Sequence, residues 1–173
     1  MRILGIDHGT NYTGWAVMRE ECVVDFGIHD YTQFHWPEVT WHIYHDIFAA
    51  VIRHKPDVVA VEKPVHFRNA NSVRTLVGAY NSVVLAALER GVDVVEIMPK
   101  ELKQVVRGNG NADKWDVAVA VQQRFGMDFD EIAIPLLYKR NGPKGTYKKG
   151  DIRDRLYDPA DAIALCWTGD EKM

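Results

Sequence analysis

Cysteine is scarce in this chain. Only Cys22 and Cys166 occur among 173 residues, far apart in segments that read as a strand and a helix. A disulfide framework is therefore not expected, and no Cys/His spacing of metal-binding type surrounds either residue. Two reduced, partly buried thiols in a cytoplasmic protein are the simplest reading. Long apolar runs are missing as well, which argues against a membrane span. Arg2 leads straight into a strand-like segment ending at Asp7, unlike the pattern of a signal peptide. Positive charge is not in excess: 21 Lys and Arg against 24 Asp and Glu give a net charge of −3, which by itself does not mark a nucleic-acid binder. Internal repeats and low-complexity segments are also absent.

What is present is unevenly spread. From Glu20 to Glu62 there are eight acids against two Lys/Arg; from Lys139 to Arg155 there are seven Lys/Arg against two acids. The second stretch can form a positive face on an acidic protein, or it can be a solvated loop. The length suits one domain, residues 1–173. RILGID (2–7) reads as a buried strand, DHGTNYTG as a turn, and GWAVMR and ECVVDFGIH as two closely joined strands of an antiparallel meander. Apolar residues at helical spacing predict a helix over 37–54, with Pro37 near its first turn. DVVAVEK (57–63) has the continuous apolar character of a strand buried on both faces. A helix follows over 71–89, then the strand VDVVEIM, the short helix PKELKQVV, the break RGNGNAD, and a helix KWDVAVAVQQRF ended by Gly126. Residues 127–156 have no clear period and read as a loop or flexible excursion, before a last helix, DPADAIALCWTG. Three antiparallel strands followed by strand–helix–strand units predict an α/β domain with a mixed five-stranded sheet flanked by helices.

Four acids from three remote segments could converge. Asp7 ends the first strand and Glu62 the fourth. If these strands are parallel neighbours, both acids project from one edge of the sheet, where α/β folds bind ligands. Asp158 and Asp161 are spaced i, i+3 at the start of the last helix and so share a face. Taken singly, Asp7 and Glu62 read equally as strand-end acids and Asp158 as a helix cap. Asp161 is harder to dismiss, because the helix that follows it is apolar. Clustered carboxylates repel one another unless cations neutralise them. Hard divalent ions such as Mg²⁺ do this with oxygen ligands, and a pair of them can activate water against a phosphodiester.

The opening ILGIDHGTNYTGWAV resembles the ILGIDPGxxxTGWxV opening of RuvC-type Holliday junction resolvases, members of the RNase H-like superfamily. VVAVEKP is similar to that family's second acidic strand, GNGNADKWDVAVAV to its GxGxAxKxxV segment, and DPADAIALC to its terminal DxxDAxAxA helix. Four motifs in the family's order span almost the whole chain. The resemblance implies an RNase H-like fold and a crossover junction endodeoxyribonuclease. Its catalytic and metal-binding acids would be Asp7, Glu62, Asp158 and Asp161. It also implies two Mg²⁺ per site (with Mn²⁺ as a substitute), 5′-phosphate and 3′-hydroxyl products, and no nucleotide cofactor. The partners implied are branched DNA and a second copy of the chain in a homodimer. Lys114 is implied as a catalytic and DNA-contacting residue, and Lys103 as a DNA contact. The family's usual proline is His8 here, either close to the metals or simply a turn residue. The long basic stretch after Phe129 is more like a phage-type member.

Further DNA-contact candidates are Lys100 and Arg107, which share a short helix with Lys103, and Lys148 and Lys149 in the basic stretch. Phe67 and Arg68 in KPVHFRNAN are added to them, with a core role as the alternative for Phe67. Lys114 opens a helix whose N–H groups can hold a phosphate, though a lysine there is more often just exposed. The small residues Gly78, Ala79, Ala86 and Ala87 suggest a close dimer seam, or packing on the sheet. Two other functions compete. The strand–GxxxxTG opening also resembles actin-like ATPases, which need a second similar domain. A non-catalytic RNase H-like nucleic-acid-binding domain would not need four acids.

Overall fold

The computed structural model describes residues 1–65 and 70–173, with the side chains of residues 70–72 and 144 outside that description. Phe67 and Arg68 therefore lie outside the described residues. The elements in chain order are β1 (Arg2–Asp7), β2 (Tyr12–Arg19), β3 (Cys22–Asp30), α1 (Glu38–His54), β4 (Val58–Glu62), α2 (Ala70–Leu88), β5 (Asp93–Ile97), α3 (Pro99–Arg107), α4 (Lys114–Phe125), α5 (Phe129–Ile132), β6 (Ile134–Leu137), β7 (Ile152–Leu156) and α6 (Asp158–Lys172). Five strands form one sheet in the order β3-β2-β1-β4-β5. β1 pairs antiparallel with β2 and parallel with β4, and β5 continues the parallel half. The expected mixed sheet is borne out. Among the described residues, no helix is long and apolar enough to cross a membrane.

Each face of the sheet has its own core. Leu4, Ile6, Val59 and Val61 pack with α1 and α2, while Ile3, Val58 and Ala60 pack with α3, α4 and α6. This is the two-residue alternation of a strand buried on both sides. Helix ends follow local chemistry: Asp113 caps α4 by accepting from the Asp116 N–H at 2.8 Å, and Gly108 and Gly126 close α3 and α4 in the left-handed conformation.

Three expectations are corrected. The segment from Met127 to Leu156 is not a structureless excursion. It holds α5 and an antiparallel hairpin in which β6 pairs with β7 from Ile134↔Leu156 to Leu137↔Ile152. The strands are short and have no alternation, so what fixes them is contacts remote in sequence. The Arg155 guanidinium donates to Asp130 and to the Ala133 carbonyl, both at 2.6 Å, and the rings of Tyr138 and Tyr147 stack 3.7 Å apart. Second, Ala79, Ala86 and Ala87 are fully buried in the α1–α2 core, and a Cβ on Gly78 would lie 2.4 Å from the Trp36 ring. The three alanines serve packing within the chain and so offer no surface to a second copy. Third, Cys22 is exposed rather than partly buried, while Cys166 is fully buried beside the Ala16 carbonyl.

Candidate active site

The four acids come together because of strand alternation and one close helix contact. In β1 the Ile3 side chain and the Cα hydrogen face of Gly5 look toward α6 while the side chains of Leu4 and Ile6 face away, so Asp7 returns to the α6 side. β4 repeats this with Val58 and Ala60, which brings Glu62 to the same side. The parallel register pairs Ile6 with Val61, and one step further sets Asp7 beside Glu62. The first turn of α6 supplies Asp158 and Asp161, whose charge also suits a helix N-terminus.

That turn lies almost on the strand backbones. A Cβ on Gly14 would fall 2.0 Å from the Asp158 carbonyl oxygen, and one on Gly5 would fall 2.2 Å from that of Ala162. Gly5 and Gly14 thus set how closely the α6 acids approach Asp7. Sequence reasoning treated both as parts of a strand and a turn; a glycine inside a strand pattern was the available signal. Thr13 was missed too. It is fully buried, and its hydroxyl donates to the Gly9 carbonyl at 3.0 Å and lies 3.3 Å from the Gly9 N–H, bracing the loop that follows Asp7.

Lys114, at the first position of α4, places its ammonium 2.9 Å from Asp161 Oδ2. Its side chain is 62% exposed, whereas that of Asp161 is only 14% exposed, so the lysine reaches over the acids from the rim. The pKa of Asp7 lies well above the usual carboxylate range, chiefly through burial and then through Asp161, Glu62 and Asp158, against the opposing effect of Lys114. Glu62 is raised by burial and by Asp161, with Lys114 and Lys103 pulling it back. Asp161 is raised by burial, opposed mainly by Lys114. Burial works to lower the pKa of Lys114, but Asp161 and Asp7 outweigh it and the net shift is upward. Three acids pushed up beside a lysine pushed up is the electrostatic mark of a site with too much negative charge.

The remaining candidates are placed as follows. Lys103 lines a cavity of about 160 Å³ with Glu62, Lys114 and Asp161. Lys100 is exposed on α3, and Arg107 stands 3.8 Å from Asp116 of α4. Lys148 and Lys149 are exposed in the loop of the β6–β7 hairpin. His8 points away from the acids: it is buried against Tyr80 of α2, and its Nε2 lies 3.0 Å from the Glu62 carbonyl oxygen. Burial lowers its pKa despite that hydrogen bond. A neutral imidazole there ties the end of β1 to the end of β4.

Among the described residues, no three Asp, Glu, His or Cys side chains are grouped so that, as they stand, they could hold a metal ion. The donor set is nevertheless suitable for a hard cation: all the donors are carboxylate oxygens, and the burial and repulsion that raise three of them are relieved by a positive charge. Mg²⁺ uses few carboxylates and keeps water and phosphate as its other ligands, so an open cluster suits it better than a cage.

Comparison with known proteins shows the family and the fold. Residues 3–131 match the family model of crossover junction endodeoxyribonuclease RuvC. The crossover junction endodeoxyribonuclease RuvC of Syntrophomonas wolfei subsp. wolfei is 34% identical over 132 residues, covering 73% of this chain and 77% of its own. That of Gloeobacter violaceus is 32% identical over 175 residues, covering 98% and 87%. The solved structure of Thermus thermophilus RuvC in complex with Holliday junction substrate has the same fold, with a TM-score of 0.72 at 24% identity over 97% of this chain and 92% of that one. With the family model matching well over half its length, and the RNase H-like sheet carrying the acids at its edge, this chain belongs to the RuvC family of crossover junction endodeoxyribonucleases.

Proposed function

We propose that this chain is a metal-dependent endodeoxyribonuclease that resolves four-way DNA junctions, its nuclease domain spanning residues 1–173. The observation that carries this reading is the meeting of Asp7, Glu62, Asp158 and Asp161, from three separate segments, beneath the Lys114 ammonium. A domain that only bound DNA would gain nothing from acids that repel its phosphates.

In this reading Asp7, Glu62, Asp158 and Asp161 hold two Mg²⁺, for which Mn²⁺ can substitute. Bound there, the metal supplies an activated water and stabilises charge on the scissile phosphate. Asp158 and Asp161 present their oxygens from a helix turn fixed by backbone contact with β2. Lys114 neutralises Asp161 before substrate arrives and then faces the negative charge of the DNA. Lys103 and the exposed Lys100 extend positive charge along α3 from the acid cluster, where the flanking phosphates would run. The products are a 5′-phosphate and a 3′-hydroxyl.

A four-way junction is two-fold symmetric and needs two matched nicks, whereas each chain carries one acid cluster. A C2 homodimer supplies both. The acting species is therefore a dimer in the cytoplasm, working on branched DNA without a nucleotide cofactor. The test is cleavage of a labelled synthetic four-way junction, with linear duplex of equal length as control. Cleavage of the junction alone, with Mg²⁺ and not with EDTA, is expected. Equal cutting of linear duplex, or cutting in EDTA, would overturn the reading.

A further inference from the structure

The match to the family model ends at residue 131, three residues before β6 begins, so the β6–β7 hairpin lies outside what that model describes. Beside it is a groove of about 560 Å³, lined by part of β6 together with Tyr12, Tyr138, Tyr147, Lys139, Arg140 and Arg153. Its size falls in the range of sites that take nucleotide-scale ligands, roughly 300–1,000 Å³. Among the described residues, three cations and three tyrosines line it, and no carboxylate does.

The groove is built. Tyr138 and Tyr147 stack across the hairpin at 3.7 Å and 13°. The Gly142 N–H donates to the Tyr147 carbonyl at 2.8 Å, and the Tyr138 N–H donates to that of Asp151 at 3.0 Å. Arg155 anchors the base of the hairpin to Asp130 and Ala133. The groove also adjoins the acid cluster along the chain at both ends. Tyr12 opens β2 five residues after Asp7, and β7 runs through Tyr157 directly into Asp158.

We propose that this groove binds an unpaired DNA strand leading away from the scissile phosphate. Aromatic faces combined with a cationic track are the chemistry that holds single strands without regard to sequence. A paired arm would present phosphates alone, and the tyrosines and apolar β6 residues would then be wasted on it. The hairpin thereby grips the strand that opens at a branch point, next to where it is cut. This rests on the reading of the chain as a DNA nuclease.

The experiment measures binding of the full chain in EDTA, by fluorescence anisotropy, to a labelled thymidine oligonucleotide and to a labelled duplex of equal length. Lys139, Arg140 and Arg153 are all exposed, so the triple variant K139A/R140A/R153A keeps the fold. It should bind the oligonucleotide at least tenfold more weakly and lose less than threefold on the duplex. Tyr12→Ala should behave likewise, and Tyr12→Phe, which keeps the ring, should bind as the parent does. Should Tyr12→Ala melt early, the triple variant decides the question. Unchanged oligonucleotide binding by the triple variant would overturn the proposal. An equal loss on duplex would also overturn it, assigning the surface to a paired arm. Junction cleavage by the parent chain, run in parallel with Mg²⁺, separates the two readings. A groove without effect in a cutting enzyme refutes the groove alone, and a working groove in a chain that never cuts refutes the nuclease.

Discussion

Gly14→Ala adds one methyl group where β2 meets the first turn of α6. Its Cβ would fall 2.0 Å from the Asp158 carbonyl oxygen and 2.3 Å from the carbonyl carbon. Both are backbone atoms, so no side chain can swing aside to relieve the clash. To reach ordinary contact near 3.4 Å, the turn carrying Asp158 and Asp161 must retreat from the sheet by about 1.4 Å. Overpacking of this kind costs about 1–3 kcal/mol, which lowers the melting temperature by roughly 2–4 °C per kcal/mol in a chain of this size. Function should suffer more than stability. A displacement of about 1 Å in a catalytic constellation can cost about 10²-fold in rate.

The assay is single-turnover cleavage of a four-way junction, run well below the variant's melting temperature and normalised to folded protein. Gly110→Ala is the control, because its Cβ would meet the Lys100 carbonyl oxygen at 3.4 Å, an ordinary contact. The expected outcome for Gly14→Ala is a folded protein with cleavage down about a hundredfold, while Gly110→Ala cuts normally. If Gly14→Ala melts as the parent does and cuts at the parental rate, the spacing between α6 and β2 does not set the geometry of the acids.

Asp7→Asn should abolish junction cleavage and leave junction binding intact; cutting at near the parental rate would remove Asp7 from the site. The same variant tests the electrostatics without substrate. Because burial and neighbouring acids raise the folded pKa of Asp7 above its unfolded value, its protonated form favours the fold. That stability is complete at pH below the unfolded carboxylate range and is lost as pH rises through the raised folded pKa. Calorimetry in EDTA at neutral pH should therefore find Asp7→Asn more stable than the parent, with the difference closing as the solution is acidified; a less stable variant at neutral pH would contradict the shift. Lys114→Met should reduce cleavage and also destabilise the metal-free chain at neutral pH, since it leaves the 14%-exposed Asp161 without its partner; an unchanged melting curve would mean that water replaces the lysine. Thiol labelling of the native chain should modify Cys22 quickly and Cys166 only on unfolding, because burial pushes the Cys166 thiol up to about 12. Rapid labelling of two thiols in the native state would refute its burial.

Three of the four acids were legible in the sequence because each breaks a strong local pattern, and Asp158 was legible through its i, i+3 spacing from Asp161. Asp7 and Glu62 interrupt apolar strands, and Asp161 opens an apolar helix. The five-stranded sheet was legible for the same reason, since strands buried on both faces leave continuous apolar runs. The β6–β7 hairpin left no such trace. IPLL and IRDRL share no alternation, Pro135 discourages a strand assignment, and the fixing contacts join Arg155 to Asp130, 25 residues away, and Tyr138 to Tyr147 across the hairpin loop. The small-residue stripe of α2 misled because close approach looks alike in sequence whether the partner is another chain or, as here, α1 and Trp36. His8 also could not be placed from its position beside Asp7, because alternation turns adjacent residues to opposite faces of the sheet.

That alternation links the far core to the site. Ile6 and Val61 are fully buried under α1 and α2, and their neighbours Asp7 and Glu62 emerge on the α6 side. A slip of one residue between β1 and β4 would exchange the faces, burying an acid against α1 or α2 and exposing an isoleucine or valine beside Lys114. The apolar residues of the remote face thus fix the register that delivers the carboxylates, and the hydrogen bond from His8 to the Glu62 carbonyl pins it at the last step. The acids contribute nothing to this order; three of them resist it through their own burial. A cluster that opposes the fold can persist only where the packing around it is stronger than its repulsion. Here that packing is the apolar α6 helix, pressed against two glycines in β1 and β2.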